Sequence, residues 1–246
     1  ILLFTKIVFA KEVEEAINLE VSLEPDIVYY EEDNIKIEDT EEINQEEIVL
    51  ERLMKKVHPE IASYYELFYS EANKDYWNEI YQGSDITPED IIILLMSIAH
   101  IETGQGYDKD ELPSTNRTGN AWGLFQIENI NSVRTSQVVL GEGIDVSVKI
   151  TRNNSDERLD PKKSIEWASA HLYNLLVFFD LDIEKAIQGY NYGAFAVKWL
   201  AEDYGDHDWI NNLDKVVHSI NKRTNKNKVH HGDSLYLNKV LTLAYD

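Results

Sequence analysis

Glu102 stands at the end of the most apolar run in the chain, Ile91-Ile92-Ile93-Leu94-Leu95-Met96, continued by Ile98, Ala99 and Ile101. A carboxyl group there meets two effects of one sign, because apolar surroundings disfavour its charged form and so does the negative end of a helix dipole. Both hold the proton on the acid towards neutral pH. Such a group suits cleavage of a glycosidic bond, whose leaving oxygen must receive a proton as the bond breaks. A helix-end carboxylate pointing into water fits the same position, so the surroundings must decide. Other candidates are weaker: His230-His231 with Asp233, and His207 between Asp206 and Asp208, offer metal-ligand types without an established metal spacing. They read as surface clusters, and neither a metal nor a cofactor is expected. His100, two residues before Glu102, points to another face of the helix.

Three short strings surround this carboxylate along the chain: Glu102-Thr103-Gly104-Gln105-Gly106, Gly123-Leu124-Phe125-Gln126-Ile127 and Gly189-Tyr190-Asn191-Tyr192-Gly193. In order and spacing they resemble the lysozyme-like superfamily, in particular the lytic transglycosylases and muramidases of bacterial cell walls, phages and conjugative elements. Asp160-Pro161, with Ile165, Leu172 and Leu175 after it, resembles the helix that packs beside the active site in that family. The resemblance covers about residues 50 to 205. It implies peptidoglycan glycan strands as substrate, cut between N-acetylmuramic acid and N-acetylglucosamine, with Glu102 as general acid and then base.

By the same resemblance Gln126 hydrogen-bonds the sugar chain, and Gly123 lets backbone approach it closely. Tyr190 places its hydroxyl near the Glu102 carboxyl, and Asn191 holds the turn. Thr103, where the family usually has Ser, and Phe125, where it has Met in a cleft wall, complete the substrate-binding set. The alternative for Tyr190 is a core tyrosine with a satisfied hydroxyl, and Trp122, Tyr192 and Trp199 are open between sugar-stacking walls and simple core. Ala168 and His171 stand where the family often has Gly and Tyr, so helix packing there is expected to differ.

The reaction type is less marked. An inverting hydrolase needs a second carboxylate to activate water, and a retaining one needs a carboxylate nucleophile. The family's transglycosylases instead let the N-acetyl group assist while the C6 hydroxyl of the muramic acid closes a ring. No acidic residue occurs within Gly123–Ile127 or the Tyr190 turn, which favours the single carboxylate and a 1,6-anhydromuramic product. Two rivals stay open: a hydrolytic muramidase using Asp108, Asp110, Glu111 or Asp145, and a non-catalytic wall-binding protein that keeps the fold.

The elements that must position these residues are mostly helical. Thr87 is a helix cap, Pro88 suits the first helical position, and Glu89 and Asp90 sit where the dipole favours carboxylates, so a buried helix runs from there to Thr103 or Gly104. Before it, Ile48, Leu50, Leu53, Met54 and Val57 recur at helical spacing, and an aromatic stretch from Tyr64 to Trp77 ends at Gly83-Ser84. After it, helices are expected from Asp160 to Phe179, Asp182 to Tyr190, Ala194 to Tyr204, Asn212 to Lys222 and Ser234 to Tyr245. Between Asn116 and Asp160 the helical period is lost, and Val138 to Ile150, turning at Gly141-Glu142-Gly143, reads as a small hairpin. Glu128 to Leu159 reads as an insertion near the cleft. The fold class is α+β, predominantly α-helical.

The 246 residues carry a net charge of -22, which argues against a nucleic-acid partner. Glu12 to Glu51 hold sixteen acidic residues against Lys36 alone, so residues 11–48 read as an acidic spacer that cannot supply a core, and 49–246 as the catalytic domain. Residues 1–10, apolar except for Thr5 and Lys6 and ending in Ala10, resemble the end of a secretion signal with cleavage before Lys11. A buried strand or a short membrane-surface helix is the alternative there. The expected location is extracytoplasmic, with no stable membrane span. Cysteine is absent, so disulfides and Cys-ligated metals are excluded.

Overall fold

The computed structural model describes residues 45–104, 112–128, 143–224 and 232–246. The expected secretion signal, and the acidic spacer up to residue 44, lie outside the described residues. The described part opens on a helix, α1 (Gln45–Lys56), which turns Leu53 into the core. Four short helical pieces come next: α2 (Pro59–Ser63), α3 (Tyr65–Ala72), a turn at Asp75–Trp77 and α4 (Asn78–Gly83). The aromatic stretch supplies Phe68 and Trp77, both fully buried. Trp77 Nε1 donates to Ser169 Oγ at 3.2 Å, and its ring meets Tyr173 edge-on, which joins this half to the helix carrying Ser169.

At the centre is α5 (Pro88–Ala99), buried at every residue from Asp90 onward. Its start is closed reciprocally: Thr87 Oγ1 accepts from the Asp90 N–H at 3.1 Å, and Asp90 Oδ2 accepts from the Thr87 N–H at 3.0 Å. A helix apolar on all sides needs neighbours on all sides. They are α1, α2, α3, α6 (Pro161–Phe178) and the last helix, α10 (Tyr236–Tyr245). Beyond Ala99 the helix widens into one π turn, His100–Gly104, which carries Glu102.

The second half is a chain of packed helices. Asp160 caps α6 by accepting from Lys162 N at 2.9 Å, and Asp182 caps α7 (Ile183–Tyr192) by accepting from Lys185 N at 3.0 Å. α7 packs on α6, on α8 (Ala194–Tyr204) and on α10, while α9 (Val216–Thr224) lies against α8. No described helix is long and apolar enough to cross a membrane.

The β structure sits earlier than the sequence suggests. Three two-residue strands, β1 (Arg117–Thr118), β2 (Ala121–Trp122) and β3 (Ile127–Glu128), form an antiparallel meander with Arg117 opposite Trp122 and Trp122 opposite Ile127. Of the hairpin expected over Val138–Ile150, the first arm lies outside the described residues, and the second forms a single bridge at Ser147 instead of a strand. The fold class is nevertheless as read: mostly helical with a small sheet, in the lysozyme-like manner.

Candidate active site

Glu102 is held on the π turn at the end of α5, and its carboxyl accepts a 2.7 Å hydrogen bond from the hydroxyl of Tyr236 on α10. Burial pushes its pKa up, the Tyr236 hydroxyl pulls it back, and the Glu128 carboxylate on β3 raises it again, so that it settles at about 7. A carboxyl poised there can give a proton and take one back at neutral pH.

Beside it runs the segment from Gly123 to Ile127, bound to the turn that carries Glu102. Thr103 is completely buried, and its hydroxyl lies 2.9 Å from the Ala99 carbonyl and 3.3 Å from that of Leu124. Its hydroxyl thus serves the backbone and ties the turn that carries Glu102 to the Gly123–Ile127 segment. Phe125, expected in a cleft wall, is 2% exposed and meets Phe68 edge-on within the core. Gly123 is buried with φ at +79°, and a Cβ there would collide with the carbonyl of Arg158. The close approach it permits is therefore internal. Gln126 is half-buried with φ at +47°, and its Nε2 donates to the Gly123 carbonyl at 2.9 Å.

An ion pair with no visible sign in the sequence fixes this segment at both ends. Arg158 Nη1 donates to the carbonyls of Asn120, at 2.8 Å, and Ile127, at 3.0 Å, while Nε and Nη2 donate to the two oxygens of Asp156 at 2.8 and 3.1 Å. Both side chains are buried. Burial raises the Asp156 pKa, but hydrogen bonds from Arg158 and from the backbone N–H groups of Arg152, Arg158 and Thr151 outweigh it and hold the carboxyl at about 2. Burying such a pair is tolerable only when every donor and acceptor is satisfied in this way. Thus the last residues before Asp160, read as part of an insertion, brace the cleft segment.

Tyr190 comes close enough to Glu102 for that carboxylate to raise its pKa, after burial, well above the ordinary tyrosine value. Its hydroxyl nevertheless donates to the Phe125 carbonyl, at 3.4 Å, while the hydroxyl bonded to Glu102 belongs to Tyr236. Tyr236 is the residue that sequence reasoning missed. Asn191 holds a turn, but a distant one: its Oδ1 accepts from the Asp233 N–H at 2.6 Å, just before α10. Beneath Tyr190 lies His171, stacked on Trp167 at 4.8 Å and edge-on to Tyr190 at 5.2 Å. Its Nδ1 has no hydrogen-bond partner, and burial lowers its pKa to about 4.

Among the proposed stacking aromatics, Tyr192 is core and donates to the Leu213 carbonyl at 3.3 Å. Trp122 is half-buried, with the guanidinium groups of Arg117 and Arg158 5.0 and 4.6 Å from its ring centre, and Trp199 lies against Phe195. Asp108, Asp110, Glu111, His230 and His231 lie outside the described residues, and Asp145 is exposed. Asp206 pairs with Lys185 at 2.6 Å and Asp233 with Lys239 at 2.7 Å. His100 Nδ1 accepts from the His58 N–H at 3.1 Å. Among the described residues no group of His, Asp and Glu is arranged to hold a metal ion.

Residues 94–212 match the family model described as Transglycosylase SLT domain. Over that stretch the chain carries a lytic-transglycosylase-type domain of the lysozyme-like superfamily. Searches of curated proteins and of solved structures gave no match.

Proposed function

We propose that the protein cuts the glycan strand of peptidoglycan between N-acetylmuramic acid and N-acetylglucosamine, outside the cytoplasm, with Glu102 as the catalytic residue. The observation that carries this reading is the placing of Glu102 on the π turn at the end of the buried α5, with the Tyr236 hydroxyl 2.7 Å from its carboxyl, inside a domain of the transglycosylase family; burial there pushes its pKa up to about 7. Glu102 protonates the leaving oxygen of the N-acetylglucosamine as the bond breaks. Its carboxylate then takes the proton of the muramic acid C6 hydroxyl as that oxygen closes on C1, which restores the acid. The neighbouring N-acetyl group supports the positive charge in between. Gln126 and the Tyr190 turn flank the strand. Neither step consumes water.

A second reading, hydrolysis, is favoured by Glu128: its carboxylate is near enough to Glu102 to raise the pKa there, and a second carboxylate is what activation of water requires. Digesting purified peptidoglycan and weighing the fragments decides between them. Anhydro ends lack the one water that hydrolysis adds, so fragments with reducing muramic acid ends as primary product would reject the transglycosylase reading and keep Glu102 as the acid. A wild-type protein that binds cell walls but leaves them uncut would reject both.

A further inference from the structure

The first turn of α10 lacks a cap of its own. Leu235 occupies the cap position without a side-chain hydrogen bond, and the N–H groups of a helix's first turn have no partner within the helix. One of them, on Leu237, is taken from another element: Gln188 Oε1 on α7 accepts it at 3.2 Å. The same amide donates through Nε2 to the carbonyl of Asp233 at 3.1 Å. Gln188 is 0% exposed, so no water replaces either bond. The two contacts bracket Tyr236 from three residues before it to one residue after it.

We infer that Gln188 is a positioning residue which, by clamping the first turn of α10 from α7, sets the Tyr236 hydroxyl on Glu102. This rests on the reading of Glu102 as the catalytic acid. Among the described residues, the groups whose charge or hydrogen bond reaches Glu102 are Tyr236 from α10, Tyr190 from α7 and Glu128 from β3. Of these, the Tyr236 hydroxyl is the one that lowers the Glu102 pKa. Withdrawing it therefore moves the titration of Glu102 upward, an effect that a merely structural glutamine would not produce. The turn keeps a second tie to α7, from the Asp233 N–H to Asn191 Oδ1, and α10 also packs on α5 and α7, so the helix stays docked without Gln188.

The test compares Gln188→Met, which keeps the length and loses both bonds, with Tyr236→Phe and with the double variant. Glutamate carboxyls are labelled with carbon-13 and titrated by NMR, the Glu102 signal being assigned by its loss in Glu102→Gln. Each single variant is expected to raise the Glu102 midpoint, Tyr236→Phe by about one pH unit, and the double variant to go no further than Tyr236→Phe alone. Full additivity, or an unmoved midpoint in Gln188→Met, overturns the inference. Should Gln188→Met not fold, Gln188→Asn, which keeps the amide but draws it back by one carbon, is held to the same outcomes. The NMR readout is independent of catalysis. A shifted midpoint in a protein that cuts no peptidoglycan rejects the proposed function alone, and cutting with an unmoved midpoint rejects the positioning role alone.

Discussion

The hydroxyl of Tyr236 donates a 2.7 Å hydrogen bond to the carboxyl of Glu102 across 134 positions of chain. It joins the last helix to the end of the buried one. Burial of the carboxyl, which the Tyr236 hydroxyl only partly offsets, also makes stability depend on pH, because the ionised form of Glu102 is penalised only in the folded protein. The pKa rises from an ordinary 4.5 to about 7 on folding, so the contribution of Glu102 is fully present below about 4.5 and is lost as pH rises through about 7. Glutamine carries no such dependence. Glu102→Gln is therefore expected to gain on wild type with rising pH, by at most about 3 kcal/mol above pH 8, while losing nearly all peptidoglycan cleavage. Urea unfolding at pH 4.5 and 8.5 checks this, and a stability difference that does not change with pH would contradict it.

His171 works at the other end of the scale. Its pKa falls from 6.5 to about 4 on folding, so its neutral form supports the fold fully above about 6.5, and that support is lost as pH falls through about 4. His171→Phe keeps a ring between Trp167 and Tyr190 but cannot take up a proton. The variant is expected to lose less stability than wild type between pH 6.5 and 4. Thermal unfolding at both values measures it, and parallel losses in the two proteins would refute the assignment.

Removing Arg158 leaves Asp156 charged, buried and without its partner. Arg158→Met is expected to cost about 3 to 5 kcal/mol, and the double variant Asp156→Asn with Arg158→Met to recover part of it. Because Arg158 also ties Asn120 to Ile127, the double variant should still cut peptidoglycan more slowly than wild type. A double variant with wild-type turnover would show that the brace matters for stability alone.

The Thr103 hydroxyl links the turn that carries Glu102 to Leu124. Thr103→Val keeps the shape and removes the bond, at an expected cost of about 1 kcal/mol, whereas Thr103→Ser keeps the hydroxyl and most of the activity. If Thr103→Val and Thr103→Ser proved equally active and equally stable, that link would be of no consequence.

The sequence makes the buried helix legible almost to the residue, because Thr87, Pro88 and Asp90 mark its start and an unbroken apolar run leaves no face for water. Glu102 was legible for the same reason. Tyr236 was not: a tyrosine in an amphipathic helix reads as core, and nothing local shows that its hydroxyl meets a carboxyl so far away in the chain. For Thr103, Phe125 and Gly123 a short string does not say which side of it is internal, and the structure buries all three. Strands of two residues are too short for an alternating pattern, so the sheet at Arg117–Glu128 went unread. Asp156 and Arg158, two apart in a polar loop, look like surface charges until the fold closes over them.

The π turn that carries Glu102 is wider than an α-helical turn by one residue. A deletion anywhere between His100 and Gly104 would let the ordinary repeat continue and swing the next residues of the chain by about 100° around the helix axis. A substitution in the same five positions leaves the number of residues in the turn unchanged. The placing of the Glu102 carboxyl thus depends on the length of this turn, and a one-residue deletion there should displace it even where every remaining side chain is kept.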